Sequence, residues 1–420
     1  MQDNYRIGVD AGTSALKAAL VDGDGNTIRT AEQQVELLRQ DSKVEMDAFD
    51  YRNALFKLLK DVAGEFAGRI SGIAISGAAG STLMLDDNDT PSEIISWLDT
   101  RTVGNAPECL AGLTSDELRR RTGWPCVDSF PLAHIGWWKE NRPQQLIDAK
   151  WVGICTDYLL YCLCGRHAMD FSTATTMHLV DQKNTAYCQD YIRRLGMRVG
   201  QLSRLVAPGT FLGTLTDAAA QATGISKEAG IFSGAFDHPS AARGCHIEKE
   251  GEMLLSCGTS WVAFTPVADR DWIIGHRLLC DPFLSHKDGP YGAMFSIQGI
   301  GQKVEKLVTE HISSGSDKYR LFNELAEKAG DCDDALDMRS TDVPQLSRER
   351  LARAIMNGCA KLFAESLAKL ELPTKIERVV LAGGPAKSRI WPGIIEKYTG
   401  FSIEVTDSFT GARGAASLIS

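Results

Sequence analysis

The stretch IGVDAGTSALKAALVDGDG at residues 7–25 decides the fold. Its apolar residues alternate on both sides of the Gly-Thr-Ser triplet at 12–14, which predicts two β-strands joined by a turn. The run Asp-Gly-Asp-Gly at 22–25 predicts a second turn that leads into a third strand. The sequence therefore predicts an antiparallel hairpin whose turn is rich in small and polar residues.

This turn carries residue types that bind phosphate and magnesium. Gly12 lets an anion come close to the backbone, and Thr13, Ser14 and the adjacent N–H groups can form a phosphate-binding concavity. Asp10 can hold a magnesium ion directly or through water, and Lys17 can reach a terminal phosphate. The alternative is an ordinary hairpin with a polar turn, because short motifs also occur by chance.

Composition indicates a globular protein of two domains. The chain has 420 residues, 44% of them hydrophobic and 24% charged, enough for two domains of about 200 residues each. A formal net charge of −9 leaves no basic stripe, so neither nucleic acid nor a membrane is expected as a partner. The 11 scattered cysteines fit reduced thiols. A strand begins within six residues and no apolar run reaches membrane-spanning length, so we expect a cytoplasmic protein.

A second hairpin repeats the first. Residues 251–264, GEMLLSCGTSWVAF, again place a Gly-Thr-Ser triplet between two apolar strands. The order of strands and helices predicts mixed sheets flanked by helices, with ligands beyond the strand ends. The further predicted elements are helices over 46–66, 151–163, 318–329, 388–399 and 410–419 and strands over 70–76, 376–382 and 402–405. The segment 233–250, with its Gly, Pro and small residues, predicts a boundary that gives domains 1–245 and 246–420.

Five segments spread along the chain carry a resemblance to a known family. They are residues 7–25, WLDTRT at 97–102, SFPLAHIGWWKEN at 129–141, TDYLLYCLCGRHAMDFSTATTMHLVD at 156–181, and SCGTS at 256–260 paired with LAGGPAKSRIWPGIIEKYTG at 381–400. In this order they resemble the FGGY carbohydrate kinases of the actin-like, sugar kinase and heat-shock ATPase superfamily. The resemblance implies an α/β fold of two duplicated ribonuclease-H-like domains, with mixed sheets flanked by helices and a cleft between the lobes.

The resemblance also implies roles for single residues. Asp237, in the context GAFDHPSAARG, falls on the catalytic acid and would accept the proton of a sugar hydroxyl, while Asp10 would organise magnesium. The residues implied to contact ATP are Gly12, Thr13, Ser14, Lys17, Gly258, Thr259, Ser260, Gly299, Gly301, Gly383 and Gly384. Those implied on the substrate side are Ala79, Trp97, Asp99, Arg101, Asp237 and His238.

Local structural roles remain open for several of these residues. Asp237 could cap a turn, and His238 could be a surface or core histidine with satisfied hydrogen bonds. The Gly383-Gly384 pair also suits a tight turn between a strand and a helix. The run 97–101 could be an ordinary loop ion pair, although sugars do stack on indole rings and an Asp with an Arg can hold hydroxyl groups.

The chain departs from the family pattern at the substrate side and in the second half. Ala78, Ala79 and Gly80 stand where relatives have a glutamine or a methionine-histidine pair, so the usual polyol contacts are missing. His134 takes the place of a lysine, and Asn357 that of a glutamate. The second half is also shortened between Cys332 and Arg348.

Together these observations predict a kinase that uses ATP and Mg2+ to phosphorylate a small sugar, with a ketose such as a ketopentose, or a polyol, as acceptor. The alternative is a non-catalytic or regulatory ATP-binding protein of the same fold. The joint presence of Asp10, Lys17 and Asp237 argues against it, because such a protein needs no base aimed at a hydroxyl. A homodimer is the assembly considered, although the sequence does not determine it.

Overall fold

The computed structural model of the protein describes residues 4–104, 110, 112–284 and 288–420. The chain forms two compact units. The first contains Met1–His246, Leu279–Tyr291 and Phe409–Ser420, and the second contains Ile247–Leu278 and Gly292–Ser408. The chain first passes from the first unit to the second after His246, one residue beyond the end of the predicted first domain at 245. Two later segments that we assigned to the second domain, 279–291 and 409–420, lie in the first unit.

Strands and helices alternate through both units. The strands are β1 (Tyr5–Ala11), β2 (Ala15–Val21), β3 (Thr27–Gln34), β4 (Leu38–Gln40), β5 (Lys43–Met46), β6 (Ile70–Gly77), β7 (Thr82–Leu85), β8 (Ile94–Ile95), β9 (Trp151–Ile154), β10 (Ala168–Asp170), β11 (Val180–Asp181), β12 (Ala186–Tyr187), β13 (Arg204–Val206), β14 (Phe211–Thr214), β15 (Gly230–Phe236), β16 (Glu252–Cys257), β17 (Trp261–Val267), β18 (Leu279–Asp281), β19 (Tyr291–Ile297), β20 (Arg378–Gly383) and β21 (Ile403–Val405). The α-helices are α1 (Ala48–Ala63), α2 (Ser115–Thr122), α3 (Pro131–Asn141), α4 (Pro143–Asp148), α5 (Cys155–Cys164), α6 (Phe171–Thr175), α7 (Gln189–Arg194), α8 (Asp217–Thr223), α9 (Asp237–Gly244), α10 (Arg270–Gly275), α11 (Ile300–His311), α12 (Lys318–Lys328), α13 (Arg348–Ala368), α14 (Trp391–Thr399) and α15 (Thr410–Ser417). Short 3-10 helices cover Gly64–Arg69, Val199–Gln201 and Pro385–Lys387.

A six-stranded mixed sheet forms the centre of the first unit, in the order β14-β15-β6-β1-β2-β3. β1, β6 and β15 run parallel, whereas β2, β3 and β14 pair antiparallel with their neighbours. Ile7 and Val9 of β1 are fully buried, as the apolar alternation of this strand predicts. Further strands of this unit form a five-stranded sheet, β4-β5-β8-β7-β9, and two short pairs, β10-β13 and β11-β12.

Three parallel strands end in register at one edge of the central sheet. Ala11 of β1 pairs with Gly77 of β6, and Gly77 pairs with Phe236 of β15. Neighbouring strands lie about 4.8 Å apart, so the residues that follow these ends open side by side. The Gly-Thr-Ser turn, the loop that begins at Ala78, and Asp237 therefore lie next to one another at this end of the sheet.

The segment 233–250, near which we placed the domain boundary, is regular as far as Gly244 and becomes irregular and mostly exposed at 246–250. It contains the end of β15 and the helix α9, in which Ser240 and Ala242 have no exposed surface. Its small residues serve close packing: a Cβ at Gly414 of α15 would lie 1.7 Å from the carbonyl oxygen of Ser240. Glycine is therefore needed where the backbones of α9 and α15 meet, which explains why the chain returns to the first unit at its C-terminus.

The second unit repeats the hairpin and its parallel neighbour. The strands run in the order β19-β17-β16-β20-β21, with β16 antiparallel to β17 and parallel to β20. Cys257 pairs with Trp261 across the hairpin and with Gly383 on the parallel side. The 21-residue helix α13 begins at the N-cap Ser347 and buries an apolar face that includes Phe363.

Other predicted elements need smaller corrections. The run 151–163 is not one helix, because Trp151–Ile154 forms β9 and only then does α5 begin. The predicted helix over 46–66 spans Ala48–Ala63, and Phe49 on it is exposed. Among the described residues, no helix combines the length and the apolar character needed to cross a membrane.

Candidate active site

Two carboxylates stand at the shared edge of the central sheet. Asp10 is the last but one residue of β1, and Asp237 follows β15 as the first residue of α9. Both side chains are half-buried. Burial, and secondly the charge of Asp237, raises the pKa of Asp10 to about 7, while Lys17 acts in the opposite direction. Burial also raises the pKa of Asp237 above its usual value, against the lowering effect of His238.

Lys17 lies directly across the hairpin from Asp10. The two residues are cross-strand partners in the β1–β2 pair, so their side chains leave the same face of the sheet. The Lys17 ammonium also lies 5.9 Å from the ring centre of Phe409. A carboxylate and an ammonium are thereby held at the base of the turn, as the sequence predicts.

The Gly12-Thr13-Ser14 turn is open and is fixed at its base. The Gly12 amide donates to the carbonyl of Asp10 at 3.2 Å, and the Ala78 amide donates to the carbonyl of Ala11 at 3.1 Å. Thr13 accepts a hydrogen bond of 2.8 Å from the indole Nε1 of Trp97. The structure therefore joins the predicted phosphate turn directly to the predicted substrate side.

Helix α15 begins beside Asp10. A Cβ at Gly411 would lie 2.6 Å from Asp10 Oδ2, so the first turn of this helix touches the carboxylate through bare backbone. The N-terminus of a helix favours negative charge, which stabilises an anionic Asp10 or a phosphate nearby. This contact is not visible in the sequence, because Gly411 lies 401 positions after Asp10 along the chain.

The donor set suits magnesium. No group of three or more His, Cys, Asp and Glu side chains that could hold a metal occurs within residues 4–104, 110, 112–284 and 288–420. Magnesium typically takes only one or two protein carboxylates and completes its shell with water and substrate phosphates. Asp10, with Asp237 close enough to affect its pKa, offers that minimal set of ligands.

Trp97 and Gly80, which we predicted on the substrate side, lie against each other near the same strand ends. A Cβ at Gly80 would lie 2.9 Å from Cβ of Trp97 and 3.0 Å from the Phe130 ring. Ala79 is buried, while Trp97 keeps 38% of its surface exposed. His238 is half-buried and lies edge-on to the Phe236 ring, 5.7 Å between centres. The predicted substrate residues 79, 97, 237 and 238 are thus placed around the strand ends.

Asp99 has a different role from the one we predicted. It has no exposed surface, and its two oxygens accept hydrogen bonds from the Val44 amide and from the Arg101 backbone and guanidinium. Arg101 also donates to Glu45, at 2.6 Å. Asp99 and Arg101 therefore form an internal ion pair, and the predicted contact between Asp99 and substrate hydroxyls is corrected.

His134, which replaces the lysine of the family pattern, is also internal. It is fully buried, and its Nδ1 lies 2.9 Å from the Thr82 hydroxyl. Burial lowers the pKa of His134 to about 3, so the ring is neutral at physiological pH. This position therefore supplies no cation to a substrate.

The second unit contains a cavity of about 550 Å3 beside the second Gly-Thr-Ser turn. Four of the predicted nucleotide residues line it: Gly258, Thr259, Gly301 and Gly384. The cavity walls also include Tyr319, Arg320 and Asn323 of α12, together with Ser388 and Trp391. We did not predict these five residues, because α12 shows in sequence only as an amphipathic surface helix.

The other predicted nucleotide residues of the second unit, Ser260, Gly299 and Gly383, do not line the cavity. They stabilise the turn through backbone contacts. The Gly299 amide donates to the Ser260 hydroxyl at 3.1 Å. Gly383 has a φ of +94°, and a Cβ there would lie 2.2 Å from the Cys257 carbonyl oxygen. Glycine is required at 383 because β20 passes so close to the turn.

A buried hydrogen-bond chain near Asp237 was also missed by sequence reasoning. The Phe236 amide donates to the Ser172 hydroxyl at 3.2 Å, and that hydroxyl donates to Asp281 Oδ2 at 2.7 Å. Asp281 has no exposed surface, and burial raises its pKa to about 7. This chain fixes the residue that precedes Asp237. Its members come from three distant segments, which explains why no local motif revealed it.

Known proteins are similar to this chain in sequence and in fold. Residues 5–244 match the FGGY family of carbohydrate kinases, N-terminal domain. The gluconokinase of Bacillus subtilis is 24% identical over 97% of this chain and 85% of its own length. The xylulose kinase of Lactococcus lactis is 30% identical over 63% of this chain and 54% of its own length. The gluconate kinase structure from Lactobacillus acidophilus superposes with a TM-score of 0.86 at 18% identity, covering 99% of this chain and 88% of that one.

Proposed function

We propose a reaction for this chain, which belongs to the FGGY family of carbohydrate kinases: it transfers the γ-phosphoryl group of ATP to a hydroxyl of a ketose such as a ketopentose, or of a polyol. The predicted family and the fold class of two duplicated ribonuclease-H-like domains are confirmed by the family match and the structural likeness. Relatives named gluconokinase and xylulose kinase support an enzyme that phosphorylates a sugar or sugar acid.

The proposal rests on two carboxylates, Asp10 and Asp237, at the carboxyl ends of parallel strands of one sheet. Lys17 lies opposite Asp10 in the hairpin. In this proposal Asp237 is the base. Its carboxylate accepts the proton of the attacking hydroxyl as the phosphoryl group moves, a role typically worth 10²- to 10⁴-fold in rate. Burial raises the pKa of Asp237, which makes its carboxylate a stronger proton acceptor than an ordinary aspartate.

Neighbouring groups would neutralise the negative charge of the transferred phosphate. Asp10 would hold magnesium, which when bound neutralises negative charge on the phosphates. Lys17 would contact a terminal phosphate oxygen, and the open Gly12-Thr13-Ser14 turn would donate from its backbone. Positioning and charge neutralisation supply most of the catalysis of phosphoryl transfer, so these few groups are sufficient.

The nucleoside part of ATP is assigned to the cavity of the second unit. Its volume of about 550 Å3 lies within the range of small-molecule sites. Gly258, Thr259 and Gly301 line the cavity, and so do the aromatic residues Tyr319 and Trp391, whose rings are of a kind that can stack on a nucleobase. We further propose that the protein works in the cytoplasm.

The non-catalytic alternative can be tested directly. Ketoses, polyols and sugar acids are screened for substrate-dependent ADP release with the wild type, with Asp237→Asn, and with Asp24→Asn as the matched control on an exposed turn. We expect one class of substrate to stimulate ADP release in the wild type and in Asp24→Asn, with a loss of at least 100-fold in Asp237→Asn. Equal rates in all three proteins, or no stimulation by any compound, would favour the non-catalytic protein.

A further inference from the structure

The strand that leads to Asp237 is irregular just before its end. Ser233 of β15 pairs with Ile75 of β6. The next pair is Phe236 with Gly77, so β15 contains one residue more than β6 over this span. Such an extra residue is a β-bulge, which bends the strand and redirects the side chains near it. The direction in which Asp237 points therefore depends on how this bulge is held.

Two buried serine hydroxyls hold the backbone of the bulge. The Ala235 amide donates to Ser76 Oγ at 3.0 Å. The Phe236 amide donates to Ser172 Oγ at 3.2 Å. Both serines are at most 1% exposed, so water does not compete for these amides. Of the two, Ser172 acts nearest to Asp237, because it holds the amide of the preceding residue.

Asp281 orients the hydroxyl of Ser172, and we call these two residues the base-side pair. The hydroxyl donates to Asp281 Oδ2 at 2.7 Å, which leaves its lone pairs to accept from the Phe236 amide. Burial is the largest cause of the raised pKa of Asp281, and the charge of Asp237 adds to it, so the two carboxyl groups are close enough to interact. The base-side pair therefore lies close to the proposed base.

A second buried serine and aspartate in the same unit, Ser203 and Asp157, form what we call the reference pair. Ser203 donates to Asp157 Oδ2 and accepts from the Trp151 indole at 2.9 Å. Asp157 Oδ1 accepts from the Ile154 amide at 2.8 Å, so both of its oxygens are used. In contrast, Oδ1 of Asp281 is buried and has no hydrogen-bond partner among the described residues. An unpaired buried oxygen costs free energy, so stability alone does not explain the base-side pair.

We infer that Ser172 and Asp281 are positioning residues for the base: they hold the bulge of β15 so that the Asp237 carboxylate faces the reacting hydroxyl. The inference rests on the proposed kinase function, in which Asp237 accepts the proton. A base must lie within hydrogen-bond reach of that proton, and a displacement of about 1 Å can cost about 100-fold in rate. Loss of the base-side pair should therefore lower kcat with little change in KM, because proton transfer belongs to the transition state.

Matched alanine variants of the two pairs test this inference. Ser172→Ala and Ser203→Ala each remove a buried hydroxyl that donates to an aspartate and accepts from an N–H group. Both variants are expected to lower the midpoint of urea unfolding. With whichever ketose, polyol or sugar acid stimulates ADP release most, kcat should fall about 10- to 100-fold in Ser172→Ala and stay within about threefold of wild type in Ser203→Ala.

Two further comparisons show whether the effect passes through the base. Asp281→Asn keeps an oxygen that can accept from Ser172, whereas Asp281→Leu removes it, so kcat should be at least about fivefold higher in the Asn variant. Ser172→Ala is also combined with Asp237→Asn. Once the carboxylate is absent its position no longer matters, so the added Ser172→Ala change should alter the residual kcat by less than about threefold.

The outcomes separate this inference from the proposed function. No stimulation of ADP release by any compound in the wild type would defeat both. Equal losses of kcat in Ser172→Ala and Ser203→Ala would overturn the inference and leave the kinase function standing. The same conclusion would follow if Ser172→Ala lowered kcat as much with Asp237→Asn as without it. Ser172→Cys, compared with Ser203→Cys, replaces the alanine variants if Ser172→Ala does not fold.

Discussion

The two Gly-Thr-Ser hairpins have the same framework and different chemistry. In each, the residue before the turn pairs with a glycine on a parallel neighbour: Ala11 with Gly77, and Cys257 with Gly383. A Cβ at either glycine would lie 2.5 Å or less from the carbonyl oxygen of its partner. Both turns are therefore held in place by the same backbone contact.

The side chains around the turns have diverged. Asp10 lies two residues before Gly12, and Ser256 lies two residues before Gly258. Across the hairpin, Lys17 pairs with Asp10, whereas Val262 pairs with Ser256. The first turn thus has a charged pair suited to chemistry. The second has neutral residues and borders a cavity suited to binding. In the proposed function one local fold would support both tasks, because backbone N–H groups, and not side chains, would make the phosphate concavity.

The largest effect should follow from removing the base at the charged edge. Asp237→Asn keeps the shape and removes the proton acceptor, so kcat should fall by about 10²- to 10⁴-fold with little change in KM for ATP. The fold should be no less stable, because burial raises the pKa of Asp237 and its ionised form is the less favourable one. Steady-state kinetics and urea unfolding at pH 8 check both statements. A kcat within threefold of wild type would remove Asp237 from the mechanism.

The next effect concerns the neutral turn. A Cβ at Gly301 would lie 2.1 Å from the Gly258 carbonyl oxygen, so Gly301→Ala must displace the turn or α11. Such overpacking typically costs about 1–3 kcal/mol, and we expect KM for ATP to rise roughly tenfold or more. Gly393→Ala in α14 is the matched control, since nothing lies within 4 Å of its added Cβ. An unchanged KM in Gly301→Ala would mean that this turn does not hold the nucleotide.

Sequence reasoning recovered what is local to these hairpins. The alternation around Gly12 and Gly258, together with the charged pair at Asp10 and Lys17, lies within a few residues and was predictable. The apolar run at 151–163 was misinterpreted, because a short buried strand and a buried helix cannot be told apart by periodicity. The small residues of 233–250 suggested a domain boundary, and those within α9 also serve its close contact with α15.

Features assembled from distant segments were beyond the reach of sequence patterns. We predicted Asp99 as a sugar ligand because its internal role cannot be read from the sequence. Its hydrogen bond to Val44 and the ion pair of Arg101 with Glu45 form only when separate strands pack together. Asp281 and Ser172 carry no motif. The cavity wall formed by α12 was also unreadable, because a helix face becomes a binding surface only through its neighbours.

A third prediction places the charge of the first turn in the second. Ser256→Asp puts a carboxylate at the position that matches Asp10, but with Val262 and not a lysine opposite. Repulsion between this charge and the phosphates of ATP should cost about 1–2 kcal/mol at this partly buried site, which raises KM for ATP roughly tenfold. Ser256→Asn has nearly the same shape without the charge and should stay within about threefold of wild type. Equal KM values for the Asp and Asn variants would show that charge at position 256 does not reach the phosphates.

The smallest predicted effect compares the acids of the two units. Five carboxyls of the first unit have a raised pKa: Asp10, Asp157, Asp170, Asp237 and Asp281. Among the described acids of the second unit, those with a shifted pKa are all shifted downward: Asp331, Asp334, Glu349, Glu365 and Glu404. The first unit also contains five acids with a lowered pKa: Asp22, Glu65, Asp89, Glu117 and Asp190. Its five carboxyls with a raised pKa should therefore respond to pH in the opposite direction to these acids and to the shifted acids of the second unit.

The sign follows from proton binding. A folded-state pKa near 7, against 3.8 in the unfolded chain, means that Asp281 binds more proton in the folded state between these values, so its own contribution to stability falls as pH rises from about 4 to 7. His134, His167 and His178 of the same unit act in the opposite direction, because burial lowers their pKa. The lowered acids of the second unit act oppositely, and their stabilisation is lost only as pH falls below about 4.5. Hydrogen exchange at pH 5.5 and 8, corrected for the intrinsic rate, measures the change in protection of the first unit between these pH values. Relative to the wild type, Asp281→Asn should shift this change in favour of pH 8 by an amount on the order of 1 kcal/mol, and Asp24→Asn should not. If Asp281→Asn left the pH dependence of the first unit unchanged, this buried carboxyl would titrate alike in the folded and unfolded chain, and the opposite pH response would rest on the other four raised carboxyls, Asp10, Asp157, Asp170 and Asp237.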